Sequence, residues 1–284
     1  MTPPTPILPQ HRRWLRHFRL SVLVTLATLI GGCAGWPPPR PTLILPTATA
    51  EPAPAPSESG WETLAPGLER RVYRPGGSNI LTSFLALRID PALYSLRAHY
   101  LPGQPLDAPD WQAALPGAAA FVNANFFNPE NHILGLLVAD GVPYGQSFSG
   151  FGGMAQVQNG VPRVRSLIAE PYAGEALEQA VQAFPMLVLN GQPTFERTNG
   201  DRPSRRTIIG QDRAGRIILI TTNSLIGMRL ADLGAYLAST DLDLVNALNL
   251  DGGGSTMMVI NAGAPQIVPP FDPVPAVLAV YPKG

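Results

Sequence analysis

The segment with the strongest chemical signal is Asn249-Leu-Asp-Gly-Gly-Gly-Ser-Thr256. An apolar, strand-like run ends in Asp251, and three glycines and two hydroxyl residues follow it. Glycine loses more conformational freedom on folding than any other residue, so three in a row are costly. Their main-chain amides can form an anion-binding nest. We expect Asp251 to act at a ligand site formed with Gly252, Gly253, Gly254, Ser255 and Thr256. The alternative is a glycine-rich turn in which Asp251 only bonds the main chain.

A second polar cluster follows a short apolar run over residues 118–123. The segment Asn123-Ala-Asn-Phe-Phe-Asn128 places carboxamides around an aromatic pair. Carboxamides can hydrogen-bond sugar hydroxyls and aromatic rings can stack on a sugar face, so Asn123 and Asn125 are candidate substrate-binding residues. The alternative is a capped turn with two core phenylalanines.

A third cluster is Arg202-Pro-Ser-Arg-Arg-Thr207, which enters a predicted strand. Because a guanidinium binds phosphate or carboxylate with two parallel hydrogen bonds, the arginines of this segment are candidates for holding an anion; the family resemblance given below implies Arg206 and Thr207. The alternative is a solvated basic patch paired with Asp201 or Glu196. Asn223, at the end of the next predicted strand, is expected at the same site or, alternatively, in a polar loop.

Composition excludes several classes of function. The 20 basic and 20 acidic side chains give no net charge, whereas a nucleic-acid binder needs a basic surface. Lys283 is the single lysine, which excludes a Walker-type loop and a Schiff base in the domain. The single cysteine excludes a disulfide framework and a cysteine zinc site. We expect no cofactor and no bound metal, because the calcium-loop ligand pattern is missing.

Short strand patterns dominate the rest of the sequence and predict the α+β class, with mixed β-sheets and few helices. Asp90-Pro91 predicts a hairpin between strands over 81–89 and 93–100, and Asn159-Gly160 predicts another within 154–165. Apolar periodicity predicts helices over 175–184 and 230–238. Further strands are expected over 118–123, 186–189, 216–222, 244–250, 257–260 and 276–281.

Residues 1–33 are predicted to be an export signal. A basic segment over 11–19 precedes an apolar run over 20–30 and then Gly31-Gly32-Cys33. This order resembles a bacterial lipobox, in which Cys33 is lipidated and becomes the N-terminus. The alternatives are a plain cleaved signal and an uncleaved anchor. Residues 34–60 are rich in proline and predicted to be a disordered tether.

The tether leaves residues 61–284 as a single folded domain. We therefore expect an exported lipoprotein, anchored to a membrane on the extracytoplasmic side of a bacterial envelope.

Four segments together resemble the phosphodiester glycosidase family, the relatives of the mannose-6-phosphate uncovering enzyme. They are, in the family's order, Asn123-Ala-Asn-Phe-Phe-Asn128, Phe184-Pro-Met-Leu-Val-Leu-Asn-Gly191, Arg206-Thr-Ile-Ile-Gly210 and Asn249-Leu-Asp-Gly-Gly-Gly-Ser-Thr256. The resemblance covers residues 80–281. It implies an α+β fold and release of a sugar from a sugar-1-phosphodiester, here in cell-envelope or extracellular polysaccharide. Asp251 and Arg206 are its implied catalytic residues.

The sequence departs from the family pattern in three places, and the departures at Ala183-Phe184 and Asp272 favour an alternative function, a lipid-anchored, non-catalytic module that binds carbohydrate or an anionic polymer. Ala183-Phe184 replaces glycines before a proline, and Thr222-Asn223-Ser224 replaces Asp-Gly. The run Asp272-Pro-Val-Pro-Ala276 replaces a segment that carries Arg in the family. If that Arg binds phosphate in the family, Arg205 or Arg202 must substitute for it here.

Overall fold

The computed structural model describes residues 60–196 and 198–284. The predicted signal, Cys33 and nearly all of the predicted tether lie outside the described residues. The helices are α1 (Ala108–Ala114) and α2 (Leu230–Ser239). The strands are β1 (Glu62–Ala65), β2 (Leu68–Tyr73), β3 (Phe84–Ile89), β4 (Tyr94–Tyr100), β5 (Ala120–Asn123), β6 (Leu136–Ala139), β7 (Val142–Gly145), β8 (Gly153–Gln158), β9 (Val161–Ser166), β10 (Gln179–Ala183), β11 (Met186–Leu189), β12 (Gln192–Pro193), β13 (Thr207–Asp212), β14 (Ile217–Thr222), β15 (Leu244–Asn249), β16 (Met258–Ile260), β17 (Gln266–Val268) and β18 (Ala276–Pro282).

The strands form three sheets. The first has the order β1-β2-β3-β14-β13-β15-β11-β12, the second β7-β6-β10-β8-β9, and the third β17-β16-β5-β18-β4. The α+β class is confirmed. The strand pairs within the described residues are all antiparallel, whereas we expected mixed sheets.

The main hydrophobic core lies where the inner faces of the three sheets meet. Leu87 and Leu219 of the first sheet, Val181 of the second and Leu278 of the third belong to this one buried cluster. Helix α2 covers the outer face of the first sheet, and α1 packs on the outer face of the third. Because this core is continuous, a loop that connects two of the sheets is anchored at both of its ends.

Local signals predicted several elements correctly. The β8–β9 hairpin turns at Asn159 and Gly160, which both have the positive φ that a tight two-residue turn requires. Helix α2 begins at Leu230 as expected. Its first two amides donate to the Asp201 carboxylate at 2.7 and 3.0 Å, so Asp201 caps the helix from a distant segment.

The predicted helix over 175–184 is wrong, because residues Gln179–Ala183 form β10 in the centre of the second sheet. All five residues of β10 are buried, and a short apolar run does not distinguish a buried strand from a helix. The hairpin at Asp90-Pro91 is also wrong, since β3 pairs in the first sheet and β4 in the third. Helix α1, capped by Asp107, was not predicted.

Candidate active site

The Asp251 segment connects two sheets. It leaves β15 of the first sheet and enters β16 of the third. The Leu250 amide donates to the Thr207 carbonyl at 2.9 Å, and the Asp251 amide donates to the Ala124 carbonyl at 3.0 Å. The Asp251 loop, which we define as residues 251–256, is therefore fixed between the start of β13 and the end of β5.

The Asp251 carboxyl is half-buried and has an unusual proton affinity. Its pKa is raised from 3.8 to about 6, chiefly because burial desolvates the carboxylate, and the nearby Asp272 charge contributes in the same direction. Hydrogen bonds from the Ser255 side chain and the Gly252 amide act in the opposite direction. A carboxyl with a pKa near neutrality can accept or donate a proton at working pH, so Asp251 is chemically competent for acid–base work.

The glycines of the Asp251 loop allow close approach of other protein segments. The Gly252 amide donates to the Asp251 carboxylate and the Gly253 amide to the Arg205 carbonyl, both at 2.8 Å. Gly253 has φ +65°, and a Cβ on Gly252 would lie 2.8 Å from the Arg205 carbonyl oxygen. The expected nest of three free amides does not form, because two of the amides already have acceptors within the protein.

Asn123 and Thr207 form a buried link beneath the Asp251 loop. The Asn123 amide group donates to the Asp251 carbonyl at 2.6 Å, and its oxygen accepts from the Thr207 hydroxyl at 2.6 Å and the Met257 amide at 3.0 Å. Both side chains are buried. They position the loop. Both side chains face the protein interior, whereas a sugar-binding role would require them to face a cleft.

The remaining members of the Asn123 cluster also bond within the protein. Asn125 is buried and donates to the Leu136 and Gln182 carbonyls at 3.1 and 3.0 Å. The two rings of the expected aromatic pair pack at different places. Phe126 stacks on Phe184 at 4.6 Å, while Phe127 packs with the α1 cluster. Phe184, one of the departures from the family pattern, thus has a packing role.

The structure brings Arg205, and not Arg206, to the Asp251 loop. The Arg206 guanidinium donates to the Met228 and Arg202 carbonyls and lies 3.8 Å from Asp201, at the start of α2. Burial lowers the Arg206 pKa, and the Asp201 charge partly opposes this. Neighbouring residues of an extended segment point to opposite faces, so only one of the two arginines can face the loop.

Arg205 is a buried cation without a carboxylate partner among the described residues. It is 6% exposed, and its Nη2 donates to the Pro269 carbonyl at 2.9 Å. Its Nη1 is buried and has no hydrogen-bond partner within residues 60–196 and 198–284. The guanidinium carbon lies 4.4 Å from the centre of the Phe271 ring, and burial lowers the Arg205 pKa. A buried guanidinium donor without a partner in the described chain is able to bind an anionic ligand.

Asp272 is a second carboxylate at the Asp251 loop that the sequence did not identify as functional. The Phe271 and Asp272 amides donate to the Gly254 carbonyl at 2.7 and 3.1 Å. A Cβ on Gly254 would lie 1.7 Å from Asp272 Oδ2, so only glycine leaves room for this carboxylate. The signal that could have identified Asp272 from the sequence is its position in the segment 272–276, which departs from the family pattern.

A cavity of about 360 Å³ opens beside the loop, and Arg205, Gly253 and Phe271 line it together with Leu225 and Ile226. Asn223 lies shortly before Leu225 in the chain. Its amide donates to the Ser83 carbonyl at 2.8 Å, and its carbonyl accepts from the Ser83 hydroxyl at 3.2 Å. Ser255 and Thr256 are buried at the loop's end, and the Thr256 hydroxyl has no hydrogen-bond partner in the described chain.

Within the described residues, no three His, Cys, Asp or Glu side chains are grouped to hold a metal ion. No helix in this part of the chain is long and apolar enough to cross a membrane.

Comparison with known proteins gives a family. The model of the phosphodiester glycosidase family matches residues 116–281. N-acetylglucosamine-1-phosphodiester alpha-N-acetylglucosaminidase of Bos taurus is 28% identical over 171 residues, covering 51% of this chain and 32% of that protein. The Mus musculus enzyme is 27% identical over 166 residues, with 49% and 31% covered. The chain therefore spans about a third of the length of these curated relatives.

Solved structures share the fold. The catalytic domain of zebrafish N-acetylglucosamine-1-phosphodiester alpha-N-acetylglucosaminidase, auto-inhibited by its pro-peptide, superposes with a TM-score of 0.61 at 19% identity, covering 77% of this chain and 85% of that chain. A hypothetical protein from Synechocystis superposes with a TM-score of 0.51 at 18% identity, covering 76% and 62%. At these identities the likeness is one of fold.

Proposed function

The chain belongs to the phosphodiester glycosidase family, and we propose that it hydrolyses the bond between the anomeric carbon of a sugar and a phosphodiester oxygen. The relatives it matches are named for N-acetylglucosamine-1-phosphodiesters, so this sugar is the first substrate to assay. In the reaction a water oxygen forms a bond to the anomeric carbon. The carbon–oxygen bond to phosphate breaks, and the free sugar and a phosphomonoester leave.

The observation that carries the proposal is the buried Arg205 guanidinium beside the Asp251 loop. Its Nη1 is buried without a partner in the described chain, and Arg205 is one of the residues that line a cavity of about 360 Å³. A guanidinium binds a phosphate oxygen with short, charge-assisted hydrogen bonds, which are stronger in a buried site than in water. Arg205 therefore takes the phosphate-binding role that the sequence assigned to Arg206.

Asp251 supplies the acid–base chemistry in this proposal. Its carboxylate accepts the proton of the attacking water, or attacks the anomeric carbon itself. Most glycosidases need a second carboxylic acid to protonate the leaving oxygen, but a phosphate leaves as a stable anion. The base must be ionised, and its pKa is about 6. We therefore expect kcat/KM to fall as the pH drops below about 6.

Two variants test these roles on a soluble N-acetylglucosamine-1-phosphodiester. Asp251→Asn should abolish sugar release. Arg205→Lys removes the two-pronged guanidinium and should raise KM for the phosphodiester more than KM for a neutral aryl glycoside. Arg206→Lys is the matched control, because this residue contacts Met228 and Arg202. Equal effects of the Arg205 and Arg206 variants would contradict the assignment.

A non-catalytic binding module is the second candidate function. It is favoured by Asp272, whose carboxylate lies against Gly254 and would repel an anionic substrate. Because Asp272 would repel an anion, such a module would bind neutral carbohydrate, with saturable affinity and without product. Detection of free sugar in a stoichiometric excess over protein excludes it.

The location in a bacterial envelope is proposed from the sequence alone. Lipidation of Cys33 would hold the domain at a membrane, near cell-envelope or extracellular polysaccharide. Labelling with radioactive palmitate in a bacterial host should mark the wild-type chain and spare Cys33→Ser. An unlabelled wild-type chain would contradict the lipid anchor.

A further inference from the structure

We propose that two loops beside the Arg205 cavity form a docking surface for an anionic lipid bilayer, and that the substrate is a sugar phosphodiester carried by a lipid. We name the surface the apolar rim and define it as Ile80, Leu81, Leu225 and Ile226. The membrane contact stands on geometry alone, whereas the lipid-borne substrate rests on the proposed function.

The apolar rim concentrates exposed apolar side chains at one place. Leu225 is 82% exposed, Ile80 75% and Leu81 69%, the three highest values among the large apolar side chains that the structure describes. Ile226 is 49% exposed. Scattered apolar residues are normal on a surface, but a contiguous cluster of this kind marks a contact with a partner or a membrane.

Main-chain hydrogen bonds hold the two loops together. The Asn223 amide donates to the Ser83 carbonyl at 2.8 Å, and the Ser83 amide donates to the Ser224 hydroxyl at 3.1 Å. Ile80, Leu81 and Ile226 all line a cavity of about 660 Å³. The rim is therefore one continuous surface formed by two loops.

The rim is continuous with the candidate active site. Ile226 lines both the 660 Å³ cavity and the 360 Å³ cavity that contains Arg205. Phe271, which is 62% exposed, also lines the cavity of Arg205, and its ring centre lies 4.4 Å from the Arg205 guanidinium carbon. A lipid whose phosphate binds Arg205 would thus have its chains beside apolar side chains, which is the arrangement that a lipid-borne substrate needs.

The charged residues around the rim favour an anionic bilayer over a protein as its partner. Arg74 and Arg202 are exposed and directly precede Pro75 and Pro203, which line the larger cavity together with Arg229. Within the described ranges, no carboxylate is ion-paired with these three arginines. Asp232 is the carboxylate of the larger cavity. Basic residues around exposed aliphatic side chains are typical of surfaces that bind anionic lipid.

The first experiment measures insertion of the rim without using activity. In full-length Cys33→Ser protein, Leu81→Cys carries an environment-sensitive fluorophore, and Val161→Cys is the control. Val161 is 64% exposed but lies on β9, at an edge of the second sheet. Vesicles of phosphatidylcholine and phosphatidylglycerol should shift the emission of the label at 81 to the blue and leave the label at 161 unchanged. Equal shifts at both sites, or none at 81, would overturn the docking surface.

The second experiment compares a vesicle-embedded sugar phospholipid with a soluble phosphodiester of the same sugar. Ile80→Ser/Leu81→Ser should lower kcat/KM on the vesicle substrate by about tenfold or more, because two apolar side chains no longer enter the bilayer. Turnover of the soluble substrate should stay unchanged, and Val161→Ser should alter neither. An equal loss on both substrates, or no loss on either, would overturn the lipid-borne substrate. Failure of the wild type on both would refute the proposed function, while the fluorophore would still decide the surface.

Discussion

Replacing the Asp251 carboxyl should make the protein inactive but more stable at neutral pH. The carboxyl has a pKa of about 6 in the folded chain against 3.8 as its ordinary value. The folded state therefore binds its proton more tightly than the unfolded state, and wild-type stability falls as the pH rises through this window. The two values differ by about two units, and each unit corresponds to about 1.36 kcal/mol, so the loss above pH 7 is about 3 kcal/mol.

Asp251→Asn removes the charge but retains an oxygen that can accept from Gly252. The free energy of unfolding of the variant, minus that of the wild type, should rise by about 2.5 kcal/mol between pH 4 and pH 8, because a small part of the effect already lies below pH 4. Urea unfolding of both chains at several pH values measures the difference. Asp243→Asn, at an exposed carboxylate paired with Arg213 at 3.3 Å, is the control for the substitution itself, because an exposed ion pair contributes little to stability.

The slope of that difference with pH decides the outcome. A difference that stays constant, or that falls as the pH rises, would show that burial does not raise the pKa of Asp251. The role of Asp251 as a base with a pKa near neutrality would then lose its physical basis.

Further variants test the other contacts of the Asp251 loop. Asp272→Asn removes a charge that raises the Asp251 pKa, so the acidic limb of the kcat/KM profile should move to lower pH; an unmoved limb would show no coupling. Gly254→Ala places a methyl group on the Asp272 carboxylate and should cost about 1–3 kcal/mol in urea unfolding. Asp272→Ala in the same chain should restore most of it, and simple additivity would contradict the contact. Asn123→Ala breaks three buried hydrogen bonds and should cost about 3 kcal/mol, with strong coupling to Thr207→Val in a double-mutant cycle; loss of activity without loss of stability would point to substrate binding.

Much of the secondary structure follows from short-range signals. The turn residues Asn159 and Gly160 determine the β8–β9 hairpin, and the apolar spacing of α2 predicts that helix. The errors occur where the partner of a segment decides its conformation. Residues 175–184 have helical spacing, but β10 is buried between β6 and β8, and pairing on both edges stabilises a strand.

At the candidate site, too, the sequence predicted one part of the structure and the packing decided the other. The residue types around Asp251 indicated an unusual loop, and the loop does contain an acid with a raised pKa. The reason for its glycines was not visible, because Gly252 and Gly254 approach Arg205 and Asp272, which are distant in the chain.

The sequence by itself determined that an acid, a glycine run and an arginine belong to one family pattern, since residue types and their order carry that information. Only the tertiary structure decided which arginine lies beside the Asp251 loop. Arg205 and Arg206 are neighbours of the same type, but the start of β13 directs Arg205 toward Phe271 and Arg206 toward the cap of α2. Side chains alternate between the two faces of an extended chain, and only the packing of the sheets decides what each face contacts.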